Sequence, residues 1–433
     1  MRALSAATLV VAVSGYAVIV VAGRALDTVS YEAFSVFWGL FFALAGLIDG
    51  LLQETTRSVA ARRTGTSRTP TAATSGARPM TVAVGFAVLV GTLAVLSGPL
   101  WSPGILPAGQ GLELTGVLLM AAGLASYTFQ AAVCGLLSAA TRWSAFAWLI
   151  SVDSAVRILL ALVAWALGWH LPAFLLVTVV GAATWLGFLV LFLVRFPDRR
   201  DVLREAGDVP TGEFVRRTVK AMLASGANAV LITGFPVLIT FTSGSDVAPG
   251  ALAAVITAVT LTRAPLLVPL QRFQPALIVH FTRHRDRVLR ACALPATVIV
   301  GTAAVGGVAA YWLARPLMLL FFDAVLVSPA PVLAALTVAS GSTALLMVTG
   351  SAAHAAERHS LYLAGWTVAT VAAVALLLVD ASPEARAVLA LGVAPLVGVA
   401  VHLGVLVLRP SPPATVTATP RPGAGSSART PRR

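Results

Sequence analysis

Charged residues and cysteines are scarce in this sequence. Of its 433 residues only 11% are charged and 58% are hydrophobic, whereas a soluble domain usually has about 25% charged residues. The two cysteines, Cys134 and Cys292, lie far apart inside apolar runs and provide neither a disulfide framework nor a metal-ligand cluster. A chain this apolar could not cover its surface in water. We therefore interpret it as an integral membrane protein.

The patterns that carry enzyme chemistry are also missing. The six histidines are scattered, the loops are too short to hold a domain, and no glycine-rich phosphate loop precedes a helix. We therefore expect no enzyme activity, no cofactor and no metal. The formal charge of +13 would suggest nucleic acid in a soluble protein. Here the basic residues lie in short loops between apolar runs, so we expect membrane lipids and no nucleic acid as partners.

Long apolar runs fill most of the chain. A helix needs about 20 apolar residues to cross a bilayer, and backbone groups in lipid must be satisfied within a helix. The sequence therefore predicts an all-α polytopic membrane protein with about twelve transmembrane helices. The predicted spans are 4–23, 32–52, 80–98, 113–138, 143–167, 172–195, 218–241, 250–279, 290–312, 324–350, 360–379 and 386–408.

Arginine positions orient these spans. With the N-terminus inside, every predicted inner loop carries basic residues, as the positive-inside rule requires. We therefore predict a multi-pass protein of the bacterial cytoplasmic membrane with both termini cytoplasmic. The predicted organisation is an N-terminal six-helix lobe (1–195), a basic cytoplasmic linker (196–217), a C-terminal six-helix lobe (218–409) and a disordered cytoplasmic tail (410–433).

A charge at the bilayer centre costs at least about 2.5–3.5 kcal/mol on insertion scales, so each embedded charge is a functional candidate. Asp153 and Arg157 lie four residues apart in the fifth span, on one helical face. The spacing fits an ion pair that neutralises itself. It equally fits a cavity-facing pair that meets an anionic ligand or a coupling ion.

Arg263 lies about halfway along the eighth span, with no acidic residue within one turn. Pro265, Pro269 and Pro275 follow it, and such prolines kink a helix and free carbonyls that neighbours or a water-filled cavity must satisfy. This pattern favours an anion-binding cavity. The alternative is a partner on another helix, such as Asp49 or Asp153. Arg272 lies nearer the inner surface, where it could snorkel.

Three further charges lie toward the span ends. Asp49 is deep in the second span and is a candidate proton or cation site. Glu54 and Arg57 are spaced to form an ion pair at the inner interface. Arg24 ends the first span at the outer surface. Two interpretations of this position are open: Arg24 anchors the helix at the interface, or it forms a gate contact.

Two regions carry a family resemblance. Gly23-Arg24-Ala-Leu-Asp27 with the run Gln53-Glu-Thr-Thr-Arg57, and Leu261-Thr-Arg263-Ala-Pro-Leu with Gln274-Pro-Ala, resemble polysaccharide flippases. These flippases belong to the multidrug/oligosaccharidyl-lipid/polysaccharide exporter (MOP) superfamily. The resemblance implies two six-helix lobes around a central cavity, which moves polyprenyl-diphosphate-linked sugars outward by alternating access.

The same resemblance extends to individual arginines. Related lipid II flippases carry cavity arginines on spans one, two and eight, and the matching positions here are Arg24, Arg57 and Arg263. Guanidinium groups suit a diphosphate because they donate paired, charge-assisted hydrogen bonds.

We therefore hypothesise a flippase for a lipid-linked oligosaccharide or polysaccharide precursor. Arg263, Arg157, Arg24 and Arg57 would contact the diphosphate, and Asp49 or Asp153 would bind the coupling ion. Cell-envelope glycosyltransferases or a polymerase are possible partners. The alternatives are a cation-coupled multidrug exporter of the same superfamily and a non-transporting membrane scaffold for cell-envelope synthesis.

Overall fold

The computed structural model describes residues 2–65, 76–108, 111–195, 202–244, 247–248, 250–284, 287–356 and 358–408. The predicted tail at 410–433 and linker residues 196–201 lie outside this set. The α-helices of the described residues are α1 (Arg2–Ala25), α2 (Thr28–Arg63), α3 (Pro79–Ile105), α4 (Leu112–Ala139), α5 (Trp143–Ala166), α6 (Leu171–Val180), α7 (Thr184–Arg195), α8 (Thr211–Ile232), α9 (Phe235–Thr242), α10 (Ala253–Arg283), α11 (Val288–Phe321), α12 (Ala330–Ala355), α13 (His359–Leu377) and α14 (Pro383–Leu408).

These helices follow the predicted spans in order. Within the described ranges, ten helices are long and apolar enough to cross a membrane, and α8 with α9, bent by 66°, forms an eleventh if the pair is one span. The apolar part of α1, Val10–Ala25, is shorter. The prediction of an all-α polytopic membrane protein is confirmed.

The helices pack as two lobes. In the first lobe α1 packs on α5, and α4 packs on both α2 and α3. In the second lobe α12 packs on α10, α11 and α14, and α13 packs on α14. Helix α8 begins at Thr211, before the predicted start of the seventh span at 218. Pro210 precedes this helix, and Glu213 pairs with Arg216 and Arg217 in its first turns.

The lobes meet where α2 lies along α8. Gly46 faces Ala229, and a Cβ atom at Gly46 would lie 2.6 Å from the Ala229 Cβ atom. One turn further on, a Cβ atom at Gly50 would collide with the backbone of Met222. Small residues of this kind let two membrane helices approach closely. The two lobes are therefore in near-backbone contact along this seam.

Two spans are interrupted. The sixth is broken by a 3₁₀ turn at Gly181–Ala183, and the seventh between α8 and α9 at Thr233 and Gly234. The freed carbonyls at the first break are satisfied, since Ser126 Oγ donates to Ala182 O at 2.8 Å and Thr184 Oγ donates to Gly181 O at 2.7 Å. In contrast, α10 runs continuously through its three prolines.

Candidate substrate cavity between the two lobes

A cavity of about 820 Å³ lies between the lobes. Its walls come from α1, α2, α4 and α5 of the first lobe and from α8, α9 and α10 of the second. The charged residues that line it are Asp49, Asp153, Arg157 and Arg263. Four of the six predicted site residues are thus brought together around one space.

Arg157 and Asp153 form the predicted ion pair. Arg157 Nη2 lies 3.0 Å from Asp153 Oδ1, and Gln130 Nε2 donates to Asp153 Oδ2 at 3.2 Å. The Arg157 guanidinium also lies over the Phe42 ring, 4.8 Å from its centroid. The face of an aromatic ring attracts a cation, here the guanidinium of Arg157. The pair lines the cavity and is internally neutralised.

Arg263 has a different environment. Its side chain is buried, with the residue 5% exposed, and its Nη1 donates to Leu231 O at 3.2 Å and Ile232 O at 3.4 Å. These carbonyls end α8, where the last turn of a helix leaves acceptors unpaired and favours a cation. Arg263 Nε and Nη2 have no hydrogen-bond partner. Asp49 and Asp153 therefore do not pair with it, and two of its guanidinium nitrogens are buried without a partner in the cavity wall.

Asp49 lies on the opposite wall. Its Oδ1 accepts a hydrogen bond from the Tyr127 hydroxyl of α4 at 2.9 Å. No basic residue forms an ion pair with Asp49 within the described ranges. The cavity thus has a carboxyl group on the first lobe and a guanidinium group on the second, each without a charged partner of its own.

Arg24 is placed outside the cavity lining. It donates to three acceptors at the end of α11: Phe321 O at 2.6 Å, Leu320 O at 2.9 Å and Asp323 Oδ1 at 3.2 Å. Arg24 therefore ties α1 of the first lobe to the end of α11 in the second.

Arg57 is also placed outside the cavity lining. It forms the predicted ion pair with Glu54, with Nη2 2.6 Å from Glu54 Oε1. It also binds Asp208 of the linker, at 3.2 Å and 3.3 Å. Its guanidinium is therefore engaged with two carboxylates.

Asp208 fixes the linker to the end of α2. Its Oδ1 accepts a hydrogen bond from Ser58 Oγ at 2.7 Å. Burial raises the pKa of Asp208, but the hydrogen bonds from Ser58 and Arg57 outweigh this effect and hold the pKa below its usual value.

The cavity is closed at the end that bears the turn between α1 and α2, which is the predicted outer end. There the Tyr31 hydroxyl lies 3.0 Å from Thr257 Oγ1, and Glu32 Oε2 accepts the backbone N–H of Leu252 at 2.7 Å. Both contacts join α2 to the beginning of α10. Together with Arg24 they join the lobes at this end.

Sequence reasoning missed the uncharged polar residues of the cavity. Tyr127 and Gln130 orient the two carboxylates, while Ser225 and Asn228 line the opposite wall from α8. The available signal was a polar side chain within an apolar run, which does not show which way the side chain faces. The Arg272 side chain lies outside the described residues.

Comparisons with known structures define the fold. A multidrug resistance MATE family transporter of the MOP superfamily, solved in an inward-facing conformation, superposes with a TM-score of 0.72 at 15% identity, covering 93% of this chain and 95% of that one. Its outward-facing form gives 0.65, covering 95% and 96%. A MOP superfamily transporter from Pyrococcus furiosus, whose binding pocket is described as having reverse polarity, gives 0.63 at 15% identity, covering 93% and 95%. The fold is that of the MATE transporters.

Sequence relatives define the family. The uncharacterized protein Mb3654 of Mycobacterium bovis is 40% identical over 399 residues, which cover 92% of this chain and 89% of that protein. The uncharacterized protein Rv1510 of Mycobacterium tuberculosis is 39% identical over 411 residues, covering 94% and 91%. This chain belongs to the same family as these mycobacterial proteins. No family model matches it.

Proposed function

We propose that this protein is a membrane transporter that flips a polyprenyl-diphosphate-linked oligosaccharide or polysaccharide precursor from the inner to the outer leaflet by alternating access. The MATE fold supports a transporter with a central substrate cavity. The observation that carries the substrate class is Arg263, because its buried guanidinium keeps two nitrogens without partners beside the cavity.

The chemistry of this position suits a diphosphate. A guanidinium in a site of low dielectric forms strong, paired hydrogen bonds to phosphate oxygens. Arg157 supports the anion from the facing lobe, although Asp153 offsets part of its charge. Arg24 and Arg57 act at the two ends of the pathway, as a gate contact and as an anchor of the linker. Asp49 on the first lobe provides the proposed coupling-ion site.

A cation-coupled multidrug exporter is the second candidate. Asp49 favours it, since a carboxylate without an ion-pair partner suits a cationic drug, and Tyr127 and Trp38 give the cavity an aromatic lining. For the MOP superfamily transporter from Pyrococcus furiosus, the reverse polarity of the binding pocket is described as suggesting a different function.

One experiment separates these candidates. The protein is reconstituted in proteoliposomes, and translocation of a fluorescent undecaprenyl-diphosphate oligosaccharide is measured beside efflux of ethidium. We expect lipid translocation without ethidium efflux. Arg263→Ala should lower the translocation rate by about tenfold or more, because a charge-assisted hydrogen bond contributes about 1.5–3 kcal/mol. Arg263→Lys should retain part of the rate.

Arg315→Ala provides the matched control, because Arg315 is exposed on α11 and outside the cavity lining. It should leave the rate unchanged. Full activity of Arg263→Ala would remove Arg263 from the site, and ethidium efflux without lipid translocation would favour the drug exporter.

A further inference from the structure

The α8 wall of the cavity holds a second unsatisfied polar group. Asn228 lines the cavity, and its Oδ1 is buried without a hydrogen-bond partner. The hydroxyl of Tyr362 on α13 lies beside this side chain. The amide nitrogen of Asn228 is the group that can donate to this hydroxyl, and the unpaired amide oxygen is an unused acceptor.

This acceptor lies on the same helix as the two carbonyls that bind Arg263. Asn228 is one helical turn before Leu231 and Ile232, whose carbonyls hold Arg263 Nη1. Arg263 offers donors through Nε and Nη2, and Asn228 offers an acceptor through Oδ1. The same wall of the second lobe thus presents both kinds of group, a donor and an acceptor, each without a hydrogen-bond partner.

Unpaired buried polar groups are costly, at about 1–3 kcal/mol each, and a ligand that supplies the missing partners recovers this cost. Arg263 requires an anion. Asn228 Oδ1 requires a neutral donor, since a second anion would be repelled by the amide oxygen. A phosphate joined directly to a hydroxylated ring offers both the anion and the neutral donor, at a short and fixed separation.

We propose that Asn228, positioned by Tyr362, binds a hydroxyl or amide N–H of the first sugar next to the diphosphate, while Arg263 binds the diphosphate itself. This inference rests on the proposed function and extends it. Asn228 makes the second lobe distinguish a glycosylated polyprenyl diphosphate from the bare carrier lipid. A site that hydrogen-bonds a substrate group discriminates strongly against the analogue that lacks it.

The test compares two probes with the purified full-length protein in detergent micelles: undecaprenyl diphosphate, and the same lipid carrying one N-acetylglucosamine. Binding of each is measured by microscale thermophoresis. The wild type should bind the glycosylated lipid more tightly. Asn228→Ala should weaken binding of the glycosylated lipid by about five- to tenfold, the effect of one hydrogen bond, and leave binding of the bare diphosphate unchanged. Arg263→Ala should weaken both.

Two further variants complete the design. Tyr362→Phe keeps the ring and removes the hydroxyl that orients Asn228, so it should show the same selective loss in smaller degree. Gln274→Ala removes an amide from α10 outside the cavity lining and should change neither affinity. Thermal unfolding of each variant establishes that it is folded.

The outcomes are distinct. A wild type that binds both probes equally, or an Asn228→Ala variant that weakens both equally or neither, overturns this inference and leaves the flippase proposal standing. A wild type that binds neither probe overturns the proposed function together with it. If Asn228→Ala does not fold, the selective loss must appear in Tyr362→Phe, and its absence there overturns the inference.

Discussion

At the scale of single residues, arginines in this protein satisfy the ends of helices. Arg24 binds carbonyls that end α11, Arg263 binds those that end α8, and Arg386 donates to Leu377 O at the end of α13 at 3.1 Å. Arg263 and Arg386 are buried, where water is scarce, so a charged donor stabilises carbonyls that have no partner in their own helix. Arg263 in addition lines the cavity, which makes it the strongest candidate for ligand binding.

Asp208 gives a prediction at the same scale. Its pKa is lowered in the folded protein, so its contacts stabilise the fold above the ordinary aspartate pKa of about 3.9 and are lost as the pH falls through the lower, folded value. Asp208→Asn should therefore destabilise the protein at pH 7 by about 1–3 kcal/mol. The difference from the wild type should shrink as the pH falls below about 4. Thermal unfolding of the detergent-solubilised protein at several pH values measures both.

Asp380→Asn is the control for this change, because Asp380 is exposed in the turn after α13. It should have little effect at any pH. An Asp208→Asn variant as stable as the wild type at pH 7 would contradict the role given to the linker contact.

At the scale of the elements, hydropathy predicted the helices well. Each of the twelve apolar stretches corresponds to a helix or a broken helix, because the length of an apolar run and the backbone requirement in lipid act locally. The breaks were not predicted. Pro265 and Pro269 lie in a continuous α10, whereas the seventh span breaks at Gly234, where the carbonyls freed from α8 find Arg263 on another helix.

Site residues were predicted where their environment is set within one span. The pairing of Asp153 with Arg157 and of Glu54 with Arg57 follows from helical spacing. Arg24 and Arg57 also contact acceptors in remote segments, at Asp323 and Asp208. Partners so distant in sequence are set by packing of the whole fold, so the sequence did not show that these guanidinium groups were already engaged.

The seam between α2 and α8 gives a prediction about helix packing. Gly50→Ala places a methyl group against the backbone of Met222 and should destabilise the protein by about 1–3 kcal/mol, the usual cost of overpacking. Gly85→Ala on α3 meets no atom within 4 Å. It should be neutral or stabilising by up to about 1 kcal/mol, because alanine is the better helix former. The unfolding temperature of purified Gly50→Ala should therefore fall, while that of Gly85→Ala should stay the same or rise. Equal shifts would argue against close packing at the seam.

At the scale of the whole molecule, the cavity is closed at one end. The contacts of Arg24, Tyr31 and Glu32 with the second lobe lie at the turn between α1 and α2. Away from this end, α10 becomes more exposed, from Ala253 at 0% to Gln271, which is exposed and still lines the cavity. With the predicted topology, the cavity is accessible from the cytoplasmic side and closed toward the outer side.

Thiol labelling tests this access. A cysteine at position 271 (Gln271→Cys) should react with a membrane-impermeant maleimide in inside-out vesicles and remain unreacted in right-side-out vesicles. The native cysteines, Cys134 and Cys292, are both buried, and the unmodified protein measures their background labelling. Reaction of the variant in right-side-out vesicles alone would reverse the predicted orientation of the chain.

The contacts of Arg24 also bear on how fast the closed end can open. Its side chain is 35% exposed and that of Asp323 is 68% exposed, so water can replace each hydrogen bond that is lost when the lobes separate. Exposed ion pairs of this kind contribute only about 0–1 kcal/mol. The buried contact between Tyr31 and Thr257 has no such replacement until the end is already open. We therefore expect the buried hydroxyl pair to resist opening more than the exposed ion pair does, and the opening rate to depend little on ionic strength.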